Sequence, residues 1–325
     1  MIYKNKFFQT ITLLLCVTFL LINCNKAEKG KQTTRQTTRI AISGAFALYP
    51  LVTQWVQVFQ QSHPDIKFDI QAGGAGKGMA DVLSGAVDLG MFSRSITQAE
   101  KDRGVWWLAV TKDAVVPTIS SGNPLLPELK KRGITRAELH KIYSNNDSPN
   151  WDVLLGIEKA PEHDITVFTR SDASGAAATY AEYLGMNQED LNGIGIYGDP
   201  GMADAVRKDN VSLGYNNTIY IYNPDTGEKN EGIEILPLDQ NANGRIDSDE
   251  EIYDSFESIL KAISEDKYPS PPARELYLIS NGKPENESVK TFLRWVLTDG
   301  QALVRESGYV PLEPGYVKDQ LKKMD

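Results

Sequence analysis

Apolar and polar positions alternate along residues 38–112 in an order that predicts strands followed by helices. RIAIS is a short apolar run, and IKFDIQ places Ile66, Phe68 and Ile70 at every second position, which is typical of strands. Between them, LVTQWVQVFQQS brings its apolar side chains to one face of a helix. A glycine-rich turn (GGAGKG), a short helix (MADVLSG) and another strand (AVDLGMF) follow. This order is typical of a parallel sheet covered by helices.

The same alternation continues to the end of the chain. Strands are predicted at DAVVPTIS, DITVFT, VSLGY and RELYLIS. Helices are predicted at TRAELHKIYS, GAAATYAEYLG and DPGMADAVRKD, and a long one at DEEIYDSFESILKAISED. The last apolar segments supply two more helices and a tail. The pattern as a whole predicts an α/β fold.

The first 37 residues differ from the rest. Lys4 and Lys6 precede an uncharged apolar stretch that ends at Cys24, which predicts a secretory signal over residues 1–24. The stretch is close to membrane-spanning length, so a retained anchor is the alternative. Residues 25–37 are polar without apolar periodicity and are expected to form a flexible tether.

The charge and cysteine content limit the partners. The chain has 34 Lys and Arg against 43 Asp and Glu. Residues 1–35 hold six basic side chains and one acidic one, which leaves 28 basic against 42 acidic in the remainder. This excess argues against a nucleic acid or an anionic membrane surface as partner. Cys16 lies inside the signal, so no disulfide is expected in the exported protein.

Three turns lead from a predicted strand into a predicted helix, at Gly44–Leu48, Gly73–Gly78 and Arg170–Ala176. Each exposes backbone N–H groups at the positive end of a helix, which attracts anions. The N–H groups at 45–47, 75–78 and 174–177 could together form an oxyanion nest. Each turn alone is also explained as a tight turn or a helix cap.

Taken in order, the three turns resemble a known family. SGAFALYPLV, GGAGKGMADVLSGAVDLGMFSR and TRSDASGA are similar to the ligand loops of phosphate-type periplasmic binding proteins of ABC importers. LINC resembles the lipobox of bacterial lipoproteins, with Asn23 replacing the usual small residue, and implies lipidation of Cys24. The family resemblance covers roughly residues 38–312. It implies a two-lobed, type II-like α/β fold with a hinge and an interlobe ligand cleft, in which 38–112 plus 268–325 form lobe 1 and 113–267 form lobe 2.

The resemblance also assigns roles to individual residues. Arg170 stands at the anion-binding arginine, and Asp172 at the acid that orients it. Ser174 and Gly175 match a hydroxyl and a backbone contact, and Ser93 stands where the family has an acceptor for a phosphate proton. Three usual hydroxyl positions hold apolar residues instead. The implied ligand-binding residues are Ala45, Phe46, Ala47, Ala75, Gly76, Ser93, Arg170, Asp172, Ser174, Gly175 and Ala176, of which Phe46, Ala75 and Ala176 replace the hydroxyls.

DQNANGRIDSDE, residues 239–250, matches the spacing of an EF-hand calcium loop. Gly244 stands at the turn position and Ile246 at the apolar position after it. A strand is predicted before the loop, so the motif predicts a lone structural Ca²⁺ site; the alternative is a hydrophilic turn with capping acids. The implied Ca²⁺ ligands are Asp239, Asn241, Asn243, the Arg245 carbonyl, Asp247 and Glu250.

The sequence therefore predicts a lipid-anchored, extracytoplasmic, monomeric solute-binding protein. Its ligand is expected to be an oxyanion, phosphate first, delivered to ABC permease subunits. The alternative is a calcium-stabilised protein of the same fold that binds a different anion or serves in sensing or adhesion. A hydrolase ranks third, because His63, His140 and His163 form no metal-ligand spacing and the chain shows no nucleophile with a base.

Overall fold

The computed structural model describes residues 38–144, 149–157 and 162–325. The predicted signal, the tether and the lipidation position Cys24 lie outside the described residues. None of the helices in these ranges is long and apolar enough to cross a membrane.

Nine strands and thirteen α-helices make up the described chain. The strands are β1 (Thr38–Gly44), β2 (Ile66–Ala72), β3 (Leu89–Phe92), β4 (Val105–Ser120), β5 (Thr166–Arg170), β6 (Ile194–Ile196), β7 (Ser212–Asn217), β8 (Ile233–Ile235) and β9 (Ala273–Asn281). The helices are α1 (Tyr49–Ser62), α2 (Ala75–Leu83), α3 (Gln98–Asp102), α4 (Leu126–Arg132), α5 (Arg136–Ser144), α6 (Trp151–Leu154), α7 (Gly175–Leu184), α8 (Gly198–Lys208), α9 (Thr218–Ile221), α10 (Phe256–Ser264), α11 (Glu287–Leu297), α12 (Ala302–Glu306) and α13 (Pro314–Lys322).

The sheet is mixed, which corrects the expectation of a parallel one. Its strand order is β2-β1-β3-β9-β4-β7-β5-β6, with β8 beside β4. The outer strands pair in parallel, as the strand–helix alternation predicts. The inner strands β9 and β4 pair antiparallel with each other and with β3, β7 and β8. Antiparallel neighbours distant in sequence leave no local signal, so the pattern could not reveal them.

Strand β4 runs unbroken for 16 residues through the centre of the molecule. Its first part pairs with β9, from Val105 to Ala114, and its second part pairs with β7 and β8. Sequence reasoning recognised only the second part as a strand. In the first part, the register with β9 shifts at a β-bulge between Ala109 and Thr111.

Two separate clusters of buried apolar side chains lie on either side of this central pair. One collects residues between 40 and 110 and between 276 and 324, around Trp55 and Phe59 of α1. The other collects residues between 114 and 273, together with Val310, around Trp151 and Tyr180. The protein thus has the two-lobed periplasmic-binding fold, with β4 and β9 crossing between the lobes.

Three helices differ from their predicted bounds. The glycine-rich turn is shorter than expected, because α2 already begins at Ala75. The long helix predicted after the EF-hand-like loop (residues 239–250) is shorter than expected and consists of α10 alone. Ser255 caps its N-terminus by accepting a hydrogen bond from the Ser258 N–H. The predicted tail contains α13, which begins at a proline suited to a first turn.

Candidate functional site

Arg170 ends β5 and is the centre of the candidate site. Its Nε and Nη2 donate to the two oxygens of Asp172 at 2.8 and 2.7 Å, and Nη1 donates to Asp199 Oδ2 at 2.7 Å. The Arg170 side chain is only 1% exposed. Burial opposes its charge, but the carboxylates of Asp199 and Asp172 outweigh burial and raise the pKa of Arg170. The guanidinium therefore stays charged.

Asp199 lies in the first turn of α8 and is buried. Its Oδ1 accepts a hydrogen bond from Asn217 Nδ2 at 2.5 Å, and its main-chain oxygen accepts one from Asn216 Nδ2 at 3.2 Å. Burial raises the pKa of Asp199 even though Arg170 and Arg274 lower it. Two carboxylates thus share one guanidinium in a water-excluded place.

Asp172 holds two elements together. Besides its fork to Arg170, its Oδ1 accepts a hydrogen bond from the Gly198 N–H at 3.1 Å, at the start of α8. From the other lobe, Gly74 packs against it: a Cβ added at Gly74 would lie 2.7 Å from Asp172 Oδ2. The acid therefore fixes the direction of the guanidinium and the position of a helix N-terminus.

Phe46, from the first turn, covers Arg170 from the opposite lobe. Its ring centre lies 5.8 Å from Arg170 Cζ and 5.9 Å from the Tyr197 ring, which meets it edge-on. Its main-chain oxygen accepts a hydrogen bond from Tyr220 Oη at 2.9 Å. Gly198 gives the Phe46 ring room, since a Cβ there would lie 3.1 Å from it.

The two lobes also meet through small residues. The Gly76 N–H, in the first turn of α2, donates to the Ala173 oxygen at 2.9 Å. Gly175, at the start of α7, touches Ser93, and a Cβ added there would lie 2.1 Å from Ser93 Oγ and 2.5 Å from its main-chain oxygen. The cleft is therefore closed by direct contacts around Arg170.

Comparison with known proteins agrees with this arrangement. A family model described as a PBP superfamily domain matches residues 31–300. The phosphate-binding protein PstS of Bacillus subtilis is 30% identical over 201 residues, 59% of this chain and 63% of that protein, and PstS of Xylella fastidiosa strain Temecula1 is 24% identical over 96% of each chain. A Clostridium perfringens structure with bound phosphate, described as a candidate phosphate ABC transporter substrate-binding protein, superposes with a TM-score of 0.68 at 20% identity, covering 85% of this chain and all of that one.

The chain belongs to the PBP superfamily. Its predicted resemblance to phosphate-type binding proteins is confirmed. The residues that the resemblance implied are brought to one place where the lobes of this PBP meet. Phe46, Gly76 and Ser93 come from one lobe, and Arg170, Asp172 and Gly175 come from the other.

Several of the implied backbone donors are already engaged. The Ala45, Gly76 and Gly78 N–H groups donate to main-chain oxygens of Met91, Ala173 and Gly74. The Ser174 N–H donates to Gln188 Oε1 and the Ala177 N–H to Ser174 Oγ, so these five N–H groups are not free for an oxyanion in this structure. The side chains of Ala45 and Ala47 are buried in the lobe core. Gly175 and Ala176 remain in the first turn of α7, where N–H groups have no partner within the helix.

Sequence reasoning missed Asp199 and Tyr197. Both belong to a fourth strand-to-helix turn, at which Tyr197 joins the end of β6 to the start of α8. The available signal was a further glycine-containing turn between a strand and a helix: Gly198 has a φ of +73°, and Gly44 and Gly74 of the first two turns also have positive φ. The acid is particular to this turn, because α1, α2 and α7 have none in their first turns. An acid in the first turn of a helix is ordinarily explained by the helix dipole, so Asp199 did not stand out in the sequence.

The EF-hand-like loop, residues 239–250, is held by hydrogen bonds from its own backbone N–H groups to its acidic side chains. Asp239 Oδ2 accepts from the Gly244 N–H at 2.9 Å, and Glu250 Oε1 accepts from the Gln240 N–H at 2.7 Å. Both acids are buried, at 2% and 3% exposure. Asp247, however, bonds to the side chains of the two loop asparagines and of Arg245. Within the described ranges, no three His, Cys, Asp or Glu side chains lie close enough together to hold a metal ion.

The contact between Gly175 and Ser93 yields a test of lobe closure. Gly175→Ala should destabilise the protein by about 1–3 kcal/mol, because the added methyl group overlaps Ser93 and overpacks the cleft. Urea unfolding measures this difference. Gly315→Ala is the matched control, since nothing lies within 4 Å of a Cβ at that position. Equal stability of both variants would contradict a closed contact at Gly175.

Proposed function

We propose that this PBP captures an oxyanion, phosphate first, outside the cytoplasm and delivers it to an ABC permease as a monomer. One observation carries the proposal: a buried Arg170, aimed by a bidentate Asp172, lies where three strand-to-helix turns from two lobes meet. Three of its five N–H groups bond to Asp172 and Asp199, which leaves one N–H on Nη1 and one on Nη2 for the oxygens of an anion. The relatives in Bacillus subtilis and Xylella fastidiosa are phosphate-binding proteins, which supports phosphate as the first ligand to test.

The family consists of substrate-binding proteins, and the site contains what binding requires. Arg170 supplies the charge, and the helix N-termini at α2 and α7 supply a positive field. The proposed function is therefore capture and release by the opening and closing of the lobes, without catalysis.

A different anion is the second candidate, and Phe46 favours it. The ring stands where a hydroxyl donor would otherwise face the ligand, and it forms an aromatic pair with Tyr197 across the cleft. Tyr197 is 61% exposed, so the pair forms part of the surface at this end of the cleft. An organic phosphate or phosphonate could place its apolar part against these rings while its oxygens reach Arg170.

Arg170→Lys tests the anion site while keeping the positive charge. We expect phosphate affinity to fall about tenfold or more, which is about 1.4 kcal/mol or more, because an ammonium group cannot bind two oxygens in one plane. Titration calorimetry with inorganic phosphate measures the change. Arg207→Lys on the exposed face of α8 is the control. Phosphate binding that survives Arg170→Lys unchanged contradicts the assignment, and binding of phenylphosphonate in preference to phosphate favours the second candidate.

We also propose that the protein is held at the membrane by a lipid on Cys24. The support is the LINC junction, the apolar stretch before it and the polar tether after it. A tether of this kind would let the folded lobes reach a permease while the lipid stays in the membrane.

Cys24→Ser removes the thiol that would carry the lipid. We expect the variant to accumulate with its signal attached and without the acyl mass. Mass spectrometry of the intact protein and membrane fractionation give the readouts, with Cys16→Ser as the control within the signal itself. A Cys24→Ser protein that is processed and sedimented like the unmodified protein excludes lipidation at this position.

We propose further that residues 239–250 bind one structural Ca²⁺. The support is the twelve-residue spacing together with two buried acids, Asp239 and Glu250, at its ends. The loop is joined to the lobe by the hydrogen bond from the Ile246 N–H to the Lys131 oxygen at 2.9 Å, and Ile246 packs against Gly133. Binding would require Asp247 to exchange its asparagine and arginine contacts for the cation.

Calcium should stabilise the protein in proportion to its occupancy. At a free Ca²⁺ concentration of about 100 times the dissociation constant, binding to the folded state alone adds about 2.7 kcal/mol. We expect the melting temperature to fall with a chelator and to recover with added Ca²⁺. Glu250→Gln should abolish this response, whereas Glu251→Gln, an exposed neighbour, should retain it. A melting temperature indifferent to both chelator and Ca²⁺ rules out the site.

A further inference from the structure

The charges around Arg170 do not balance in favour of an anion. The guanidinium carries one positive charge, and Asp172 and Asp199 carry two negative ones, all on side chains no more than 6% exposed. The next cation, Arg274, is already paired with Asp113 at 2.8 Å. An oxyanion that reached Arg170 with both acids ionised would add negative charge to a buried group that is already net negative.

Asp199 also holds the edge of the guanidinium that Asp172 leaves open. Asp172 takes Nε and Nη2, and Asp199 takes Nη1. The Phe46 ring lies over Arg170, 5.8 Å from Cζ, and covers one face of the guanidinium. An oxyanion that uses the Arg170 fork therefore meets the Asp199 carboxylate at the Nη1 edge.

The surroundings of Asp199 contain several titratable groups. Arg170 and Asp172 face it from β5 and the following turn, Tyr215 from β7, Tyr220 from α9, Arg274 from β9 and Tyr309 from the C-terminal segment. Burial and the neighbouring acid raise the pKa of Asp199, while the two arginines lower it. Burial raises the pKa of each of the three tyrosines, so they already carry their protons. Of the two acids, Asp199 makes a single contact with Arg170, whereas Asp172 makes two.

We propose that the Asp199 carboxylate competes with the ligand for Arg170, so that an oxyanion binds at Arg170 only when the Asp199 carboxyl group takes up one proton. The inference rests on the proposed function. The proton comes from solvent and ends on Oδ2, which then ceases to accept from Nη1. The freed Nη1 N–H donates to the oxyanion, and the neutral carboxyl O–H becomes a further donor to the same anion. The buried side chains of Arg170, Asp172 and Asp199 then gain one positive charge from the proton together with the negative charge of the oxyanion.

The direction of the pH dependence follows from this exchange. In this exchange Asp199 is ionised in the empty protein and protonated in the complex, so binding raises its pKa. Affinity is then greatest at low pH and falls as pH rises, by up to about tenfold per pH unit for one linked proton. Replacing Asp199 with Asn supplies an uncharged amide donor permanently, which removes both the competitor and the need for the proton.

Titration calorimetry with inorganic phosphate on the full chain tests the proposal. Each protein is titrated at about pH 6 and about pH 8, where an unperturbed carboxylate stays ionised, in two buffers of different ionisation enthalpy to count the protons taken up. Phosphate changes its own protonation in this range, so the comparison is between the unmodified protein and Asp199→Asn. We expect the unmodified protein to take up one proton more per phosphate than the variant, and the variant to bind at least tenfold more tightly at the higher pH. Asp204→Asn is the control, because that acid lies exposed on the same helix.

The outcomes separate this inference from the proposed function. Phosphate binding by the unmodified protein with no extra proton relative to Asp199→Asn overturns the competitor role and leaves the function standing. Binding by the variant alone supports the competitor role and overturns phosphate as the natural ligand. Binding by neither protein overturns both. If Asp199→Asn fails to fold, Asp199→Ser takes its place in the same comparison, with the same outcomes.

Discussion

The structure around the cleft depends on one buried positive charge, the guanidinium of Arg170. Arg170 is almost completely buried, and a buried ion is tolerated only when opposite charges and hydrogen bonds replace its hydration. Asp172 and Asp199 do this from a turn and a helix start, which fixes where β5 ends and where α8 begins. The closed cleft follows from the same requirement, because Phe46 and Gly74 of the other lobe complete the shielding of the three groups.

A chain of hydrogen bonds and ion pairs connects Asp199 in the site to the strands that join the lobes. Asn217 donates to Asp199 with its amide nitrogen and accepts from Arg274 with its amide oxygen, and Arg274 on β9 pairs with Asp113 on β4. These are the two strands that cross between the apolar clusters. A change at Asp199 alters one end of a continuous polar chain whose other end lies in the hinge strands. Ligand binding and lobe movement are therefore expected to be coupled through Asn217.

The sequence was informative where structure is local. Alternating strands and helices, the glycines of the turns and the pairing of Arg170 with an acid two residues later are short-range patterns, and they predicted the outer strands and the centre of the site. Partners distant in sequence were not accessible. The pairing of Asp113 with Arg274 spans 161 residues, and that of Arg170 with Asp199 spans 29. An acid at the start of a helix is usually explained by the helix dipole alone, so its function as a counter-ion becomes visible only in three dimensions.

The apolar residues at the three hydroxyl positions change how this cleft selects its ligand. Ala75 and Ala176 are buried at 0% and 3% exposure and belong to the cores of opposite lobes, and Phe46 covers the arginine. Fewer hydroxyls mean fewer donors for an anion, but apolar walls also lower the local dielectric and strengthen every charge interaction within them. A surplus charge is consequently costlier here than in a cleft lined with hydroxyls. Selection in this site therefore depends less on the number of donors than on whether the ligand leaves Arg170, Asp172 and Asp199 electrically balanced.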